Sequence, residues 1–381
     1  MRILLQSRSN LFAKRGGDTL QILNLQKGLQ SLGCDVEISL GISEKLSGFD
    51  LVHCFNLSRI QETYLQIVNA RNQGKRVVLT PVFHNLTHYN QCGRYGLTGQ
   101  FLSLLSYEAI EQVRNFYLWL KKECPAKACQ AFFRSGYFKL ATRALAHVDA
   151  LICAGNAELQ EIRHFFHPEF LPPVKILPVG IDKGELDCID DIFFKKTGLR
   201  NYILCVGRIE DLKNQLGLIK ALDNYIIPLV FIGQANTHHR AYVRYFSSII
   251  KSQPHLHWFE NLSRAVVLSA IKNAKVHVLA SFVETTGVAN LEAAYFGVNV
   301  VSTRCGYAES VFGDYAQYCE PENPVSVREA ILRALRSPVR EGLRKKIVQN
   351  CSLKEVASRH LNFYEEVLGN HFSSRVVKIV V

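Results

Sequence analysis

Two glutamates, Glu284 and Glu292, close off the run Glu284-Thr-Thr-Gly-Val-Ala-Asn-Leu-Glu292, around a glycine where one residue pattern gives way to another. Ionised carboxylates only accept hydrogen bonds, so such a pair suits the vicinal hydroxyls of a ribose or hexose and suits phosphate badly. The complementary charge lies upstream, where Gly207 is followed by Arg208 and Lys213. A guanidinium offers a planar fork to phosphate oxygens and an ammonium a compact charge, so the two could converge on a diphosphate. Polyol acceptors and diphosphate donors together describe a grip for a nucleotide-sugar. Taken alone, the same residues also read as a helix-start charge, a solvated helix face and surface cations. No Asp-x-Asp pair occurs, so no carboxylate-held divalent ion is suggested at the diphosphate.

These side chains need elements to hold them. The run Lys275-Val-His-Val-Leu-Ala-Ser281 has the apolar density of a buried parallel strand, and Val288, Leu291, Ala294 and Tyr295 recur at helical spacing. The carboxylates therefore flank a strand-to-helix turn. The N–H groups of Thr286, Gly287 and Val288 precede the helical ladder and could meet phosphate or sugar oxygens at the helix's positive end. Tyr202–Val206 reads as another buried strand, which Gly207 lets turn tightly.

Strand and helix patterns alternate through the chain twice. Strands are expected at 2–6, 35–40, 51–55, 76–82 and 150–154, then at 202–206, 228–232, 255–259, 275–280 and 298–302. The expected class is α/β, with two Rossmann-like doubly wound domains whose parallel sheets are covered on both faces. Ligands of such sheets bind beyond the carboxyl ends of the strands, where both charged clusters fall. A chain of 381 residues exceeds the ~250 to 300 at which single cores usually split. The first domain is expected over 1–185, with an insertion at about 88–140 and a C-terminal helix, about 353–381, packed back onto it. The second is expected over 186–352. Periodicity is lost between Asp182 and Thr197, which marks the hinge.

Val206-Gly-Arg208 with Lys213-Asn-Gln215, followed by Glu284 and Glu292 enclosing seven residues, resembles the retaining GT-B glycosyltransferases of family 4, the glycosyl transferases group 1. Arg15-Gly-Gly-Asp-Thr19 is similar to that family's first glycine loop, Phe49–His53 to its third strand, Asp149–Cys153 to a later one and Leu177–Asp182 to its hinge. The resemblance covers roughly 1–86 and 140–368. It implies two domains facing across a cleft, with Arg208 and Lys213 on the donor diphosphate, Glu292 on the nucleotide ribose and Glu284 on a hydroxyl of the transferred sugar. Gly16 and Gly17 would let the first loop approach the phosphates, and Thr286, Gly287 and Val288 would line the donor. Thr286 stands where relatives often carry an aromatic residue. Many relatives place a histidine after the strand that ends here near Val82; His84 is the nearest match and His88 the alternative. Either could instead satisfy loop backbone groups. In the front-face mechanism of such enzymes the departing phosphate oxygen takes the acceptor's proton, so no protein base is required.

The implied activity is transfer of a sugar from a nucleoside-diphosphate sugar to a hydroxyl of a glycan or lipid-linked acceptor, with surface polysaccharide assembly as the setting. No cofactor or metal is expected. The alternatives are a catalytically silent nucleotide-sugar-binding scaffold and a nucleotide-sugar epimerase. A dehydrogenase is disfavoured because no Gly-x-Gly-x-x-Gly occurs.

The net charge of +12 also calls for a partner. Between His88 and His147 eight Lys or Arg face three acids, interleaved with Tyr107, Phe116, Tyr117, Trp119, Phe132, Phe133, Tyr137 and Phe138. This segment is expected to form helices that meet anionic lipid or a lipid-diphosphate acceptor. The bland alternative is a helical pair with an aromatic core and solvated charges. No recognition-helix, zinc-finger or RNP-like pattern points to nucleic acid. The eleven cysteines are scattered without Cys-x-x-Cys, which suggests buried free thiols in a reducing cytoplasm. The chain opens on a strand too short for a secretory signal and has no run of ~20 apolar residues. The expected location is cytoplasmic, with the inner face of the membrane as the place where the basic aromatic segment would act.

Overall fold

The computed structural model describes residues 1–223, 225–338 and 341–369. The chain forms two compact units: the first comprises 1–83, 105–180 and the chain from Leu353 onward, the second 84–104 and 181–352. Residues 370–381, the far end of the expected C-terminal helix, lie outside the described residues.

In the first unit β1 (Arg2–Gln6), β2 (Asp35–Ser39), β3 (Leu51–Phe55), β4 (Arg76–Thr80), β5 (Ala150–Cys153) and β6 (Val174–Ile176) form one parallel sheet in the order β2-β1-β3-β4-β5-β6. Every side chain of β3 is buried, as expected of a mostly apolar central strand covered on both faces, its one polar residue, His53, included. One face packs Val52, Cys54, Val77 and Leu79 against helices that include Tyr137–Ala146; the other packs Ile3, Leu5, Leu51 and Val78 against Gly17–Ser31 and Leu353–Leu368. The last two helices cross closely at Gly28, where an added Cβ would lie 2.7 Å from that of Ala357. His53, wholly buried in β3, bonds Tyr364 of the final helix at 2.6 Å and Thr80 of β4 at 2.8 Å.

In the second unit β7 (Ile203–Val206), β8 (Leu229–Ile232), β9 (Leu256–Phe259), β10 (Val276–Leu279), β11 (Asn299–Thr303) and β12 (Gln317–Cys319) form another parallel sheet in the order β12-β11-β10-β7-β8-β9. From β7 the chain winds outward through β8 and β9; it then returns to β10, beside β7, and winds the other way. The reversal lies between β7 and β10, and sheets of this kind take their ligands beyond the carboxyl ends of the strands at such a point. The same device puts the first sheet's reversal between β1 and β3.

The observed division departs from the sequence reading in three places. The boundary falls at Gly180–Ile181, inside the Leu177–Asp182 hinge of the resemblance but ahead of the expected 185/186, and the stretch where periodicity is lost holds two short helices, Lys183–Asp187 and Ile192–Thr197, that belong to the second unit. Residues 84–104, expected within the first domain, group with the second because Tyr89 and Tyr95 bond Asp211 and the Tyr89 ring packs near Phe282. Two edge strands, β6 and β12, were not expected. Among the described residues, no helix is long and apolar enough to cross a membrane.

Candidate functional site

The loops leaving β7 and β10 are tied to each other. After β7, the chain makes a short turn over Asp211–Lys213 and then holds Asn214 in the left-handed region at φ 55°. Asparagine tolerates that conformation, and here its side-chain amide donates to the carbonyls of Ala280 (3.1 Å) and Pro321 (2.7 Å). The Phe282 N–H donates to the Leu212 carbonyl at 2.9 Å. With its backbone fixed on both sides, Lys213 reaches the β10 turn, and its Nζ lies 2.6 Å from Glu284 Oε2.

Glu284 is held as firmly. Its N–H donates to the Cys305 carbonyl (2.9 Å), and its own carbonyl accepts from Tyr307 N–H (3.1 Å). Gly306, at φ +148°, allows this approach, since an added Cβ would lie 1.6 Å from the Glu284 carbonyl oxygen. The carboxylate also accepts from the Ser281 hydroxyl at 3.1 Å. Burial alone would raise its pKa, but the Lys213 charge and hydrogen bond, His84 and Ser281 more than offset this and hold it below the ordinary range. Glu284 is thus a buried anion whose lysine partner keeps 19% of its side chain open to solvent.

Gly287 begins the helix Val288–Tyr295 from the left-handed region at φ 70°, and an added Cβ would lie 2.9 Å from Leu279 Cδ1. The first helical hydrogen bonds run from Asn290 and Leu291 to the Gly287 carbonyl, so the amides of Thr286, Gly287 and Val288 precede the ladder. Thr286 is buried, and its Oγ1 has no partner among the described residues. His277 of β10 bonds the Asn290 side chain at 2.7 Å and fixes the helix start from below; burial lowers its pKa to about 4, so it is neutral.

Glu292, nearly fully buried, is paired with Arg264 at the start of the helix Arg264–Asn273. Burial pushes its pKa up against the pull of Arg264, and the like charge of Glu185 adds to the rise. Arg264 also lies 3.4 Å from Glu185. Arg208 is more open, with 44% of its side chain exposed and Nη2 3.1 Å from Glu210. Direct contact therefore joins Lys213 to Glu284, while Arg208 and Glu292 each hold another partner. His84 lies within electrostatic reach of Glu284, whereas His88 is turned to Glu322 at 3.3 Å. Gly16 and Gly17 lie in the first unit, where Gly16 caps the helix Gly17–Ser31 beside an Arg8–Asp18 ion pair of 2.7 Å.

Several residues of this corner escape a sequence reading. Arg264 had one legible signal: a cation in the first turn of a helix opposes the dipole and calls for an acidic partner. Asn214 stands in the Lys213-Asn-Gln215 motif, although its contacts could not be read from it, and Asp211 acts through contacts distant in sequence and left no signal. Among the described residues, no group of three or more His, Cys, Asp or Glu side chains gathers as a metal site. All eleven cysteines are free thiols.

Residues 190–352 match the family model of the glycosyl transferases group 1. The whole chain is similar in structure to a sucrose-phosphate synthase from Thermosynechococcus elongatus (TM-score 0.72, 14% identity, covering 97% of this chain and 99% of that one). It is also similar to a glycosyltransferase from Rickettsia africae (TM-score 0.67, 14% identity, 97% and 99%). A third similar structure is HepE from Anabaena in complex with UDP-glucose (TM-score 0.66, 13% identity, 96% and 100%). No curated protein matches the chain by sequence.

Proposed function

Because residues 190–352 match the family model of the glycosyl transferases group 1 and the chain has the GT-B fold, we propose that this protein is a retaining glycosyltransferase. It transfers a sugar from a nucleoside-diphosphate sugar to a hydroxyl of a glycan or lipid-linked acceptor, in surface polysaccharide assembly. The observation that carries this reading is the Lys213–Glu284 pair at the sheet's reversal point. An ammonium has three N–H donors, so Lys213 can keep one on Glu284 and turn the others to a diphosphate oxygen. Arg208 supplies the second cation. Glu284 then faces a sugar hydroxyl, Glu292 the ribose hydroxyls, and the amides of Thr286, Gly287 and Val288 the phosphate or sugar oxygens. The bond from the anomeric carbon to the diphosphate oxygen breaks as the acceptor oxygen attacks from the same face. The departing phosphate oxygen takes the acceptor's proton, and the developing charge is met by Arg208, Lys213 and the helix start rather than by a metal. On this reading His84, within electrostatic reach of Glu284, acts near the reacting sugar.

UDP-glucose, bound by HepE, heads the panel of donors to be tested. Incubation with nucleotide-sugars, with and without free and lipid-diphosphate-linked oligosaccharides, should release free nucleotide only when acceptor is present. An isomerised donor without acceptor would indicate an epimerase. Binding without any turnover would indicate a scaffold.

The helix Tyr107–Leu120 supports a membrane-linked acceptor. It buries Ile110, Glu111, Asn115 and Leu118 and leaves Val113, Phe116, Trp119 and Leu120 about half exposed, a wide apolar face for a soluble surface. Lys121 and Lys122, both exposed, follow it, and Lys121 lies over the Tyr117 ring. An apolar face rimmed by cations suits peripheral contact with an anionic bilayer. Phosphatidylserine vesicles should carry the protein upward in flotation, and Lys121→Glu with Lys122→Glu should abolish this. Failure of the wild type to float at any salt concentration would end the membrane reading and leave the transferase reading intact.

A further inference from the structure

The matched segment 190–352 does not contain the whole corner around Lys213 and Glu284. Residues 84–104 also belong to the second unit. Their centre is one π-helical turn, Tyr89–Gly93, a form that often accompanies functional sites. The Tyr89 and His88 rings stand 6.1 and 6.3 Å from that of Phe282, two positions before Glu284. Gly93 is needed for this packing, because an added Cβ would meet the Tyr89 and Phe282 rings at 2.6 and 2.7 Å. On the other side the segment reaches the Lys213 turn. Asp211, buried, accepts from the Tyr89 hydroxyl at 2.5 Å and from the Tyr95 N–H at 3.0 Å, and its Oδ1 lies 2.8 Å from His239 Nδ1. The Tyr95 ring stacks on Tyr245 at 6.0 Å and meets Tyr242 edge-on at 5.5 Å. The segment thus rests on the turn of the cation and on the turn of the anion, and the charge of its first residue, His84, is felt at Glu284.

We propose that residues 84–104 form a strap across the Lys213–Glu284 corner, and that Asp211 is the positioning residue that latches it. The carboxylate sits two positions before Lys213, so one group sets both the lysine turn and the strap that brings His84 to Glu284. Asn at 211 keeps the shape but offers one carbonyl oxygen where the strap's two donors use both carboxylate oxygens. Phe at 89 removes only the strap-side hydroxyl and leaves His239 and Tyr95 on Asp211.

The role in turnover rests on the reading of this corner as the donor site; the latch itself does not. Amide hydrogen exchange of the full chain should therefore accompany kinetics for wild type, Asp211→Asn, Tyr89→Phe and, as a control on the exposed end of the segment, Leu97→Ser. Exchange at residues 89–95 should rise at least tenfold in the first two variants, with the sheet amides of the second unit unchanged. In the same variants kcat should fall about tenfold while UDP affinity stays within threefold, and Leu97→Ser should match wild type in both measurements. Unchanged exchange in Tyr89→Phe and Asp211→Asn would overturn the latch. Faster exchange with unaltered kcat would overturn the positioning role. A wild type without donor turnover would remove the donor reading and with it the positioning role, while the exchange result would still decide the latch.

Discussion

Glu284 and Glu292 lie on one strand-to-helix segment, both are buried and both meet a cation, yet their pKa values move in opposite directions. The number of partners separates them. Glu284 has Lys213, the Ser281 hydroxyl and the nearby His84, whose pull outweighs the burial that opposes ionisation. Glu292 has Arg264, whose guanidinium also serves Glu185, and burial prevails. A buried carboxylate is fixed as an anion only where donors are sufficient in number. On the proposed function the difference has a use, because ribose hydroxyls would bring Glu292 the donors it lacks, whereas Glu284 is ready before the sugar arrives.

The comparison is broken most severely by removing the cation from the better-held carboxylate. Lys213→Ala leaves Glu284 buried without its ammonium and should cost about 3 kcal/mol in urea denaturation. Adding Glu284→Gln should recover most of that loss, as expected of two residues that act as a pair. A cost below about 0.5 kcal/mol, the size usual for exposed pairs, would mean that solvent screens the contact.

Arg264→Ala tests the other carboxylate. The folded pKa of Glu292 already lies above its ordinary value, and loss of Arg264 should raise it further. A raised carboxylate pKa adds stability that is fully present below the unfolded value, near 4.5, and is lost as pH rises through the folded value. The variant should therefore lose about 2 kcal/mol at pH 7.5 and distinctly less at pH 5. Equal losses at the two pH values would mean that Glu292 does not titrate as described. The smallest effect is expected from metal chelation: if Arg208 and Lys213 meet the diphosphate charge, EDTA should leave turnover unchanged, and a strict requirement for a divalent ion would remove that role.

Much of this was legible in the chain, for physical reasons. Central parallel strands are buried on both faces and so read as largely apolar runs, and Leu51–Phe55, interrupted only by His53, was expected with the ends it has. The edge strands Val174–Ile176 and Gln317–Cys319 are three residues long with partly open faces, and so short a run leaves no periodicity to read. The candidate residues Arg208, Lys213, Glu284 and Glu292 could be proposed from the chain because each lies at a short offset from a strand that reads clearly, in the turn after it or in the helix that follows. Asp211 could not, and Arg264 only as an unpaired first-turn cation, because their partners lie at Tyr89 and Tyr95 and at Glu185 and Glu292, and only the fold joins those positions. The placing of residues 84–104 was hidden for the same reason: they follow β4 in the chain, but their contacts with Asp211 and Phe282 belong to the other unit.

The central claim is that the cations of the β7 turn and the carboxylates of the β10 turn grip one donor molecule. Calorimetric titration of UDP into wild type, Lys213→Ala and Glu292→Ala tests it most directly, since on this claim the first variant removes a diphosphate contact and the second a ribose contact. Each should bind UDP at least tenfold more weakly than wild type, about 1.4 kcal/mol. Wild-type affinity in both variants would contradict the account.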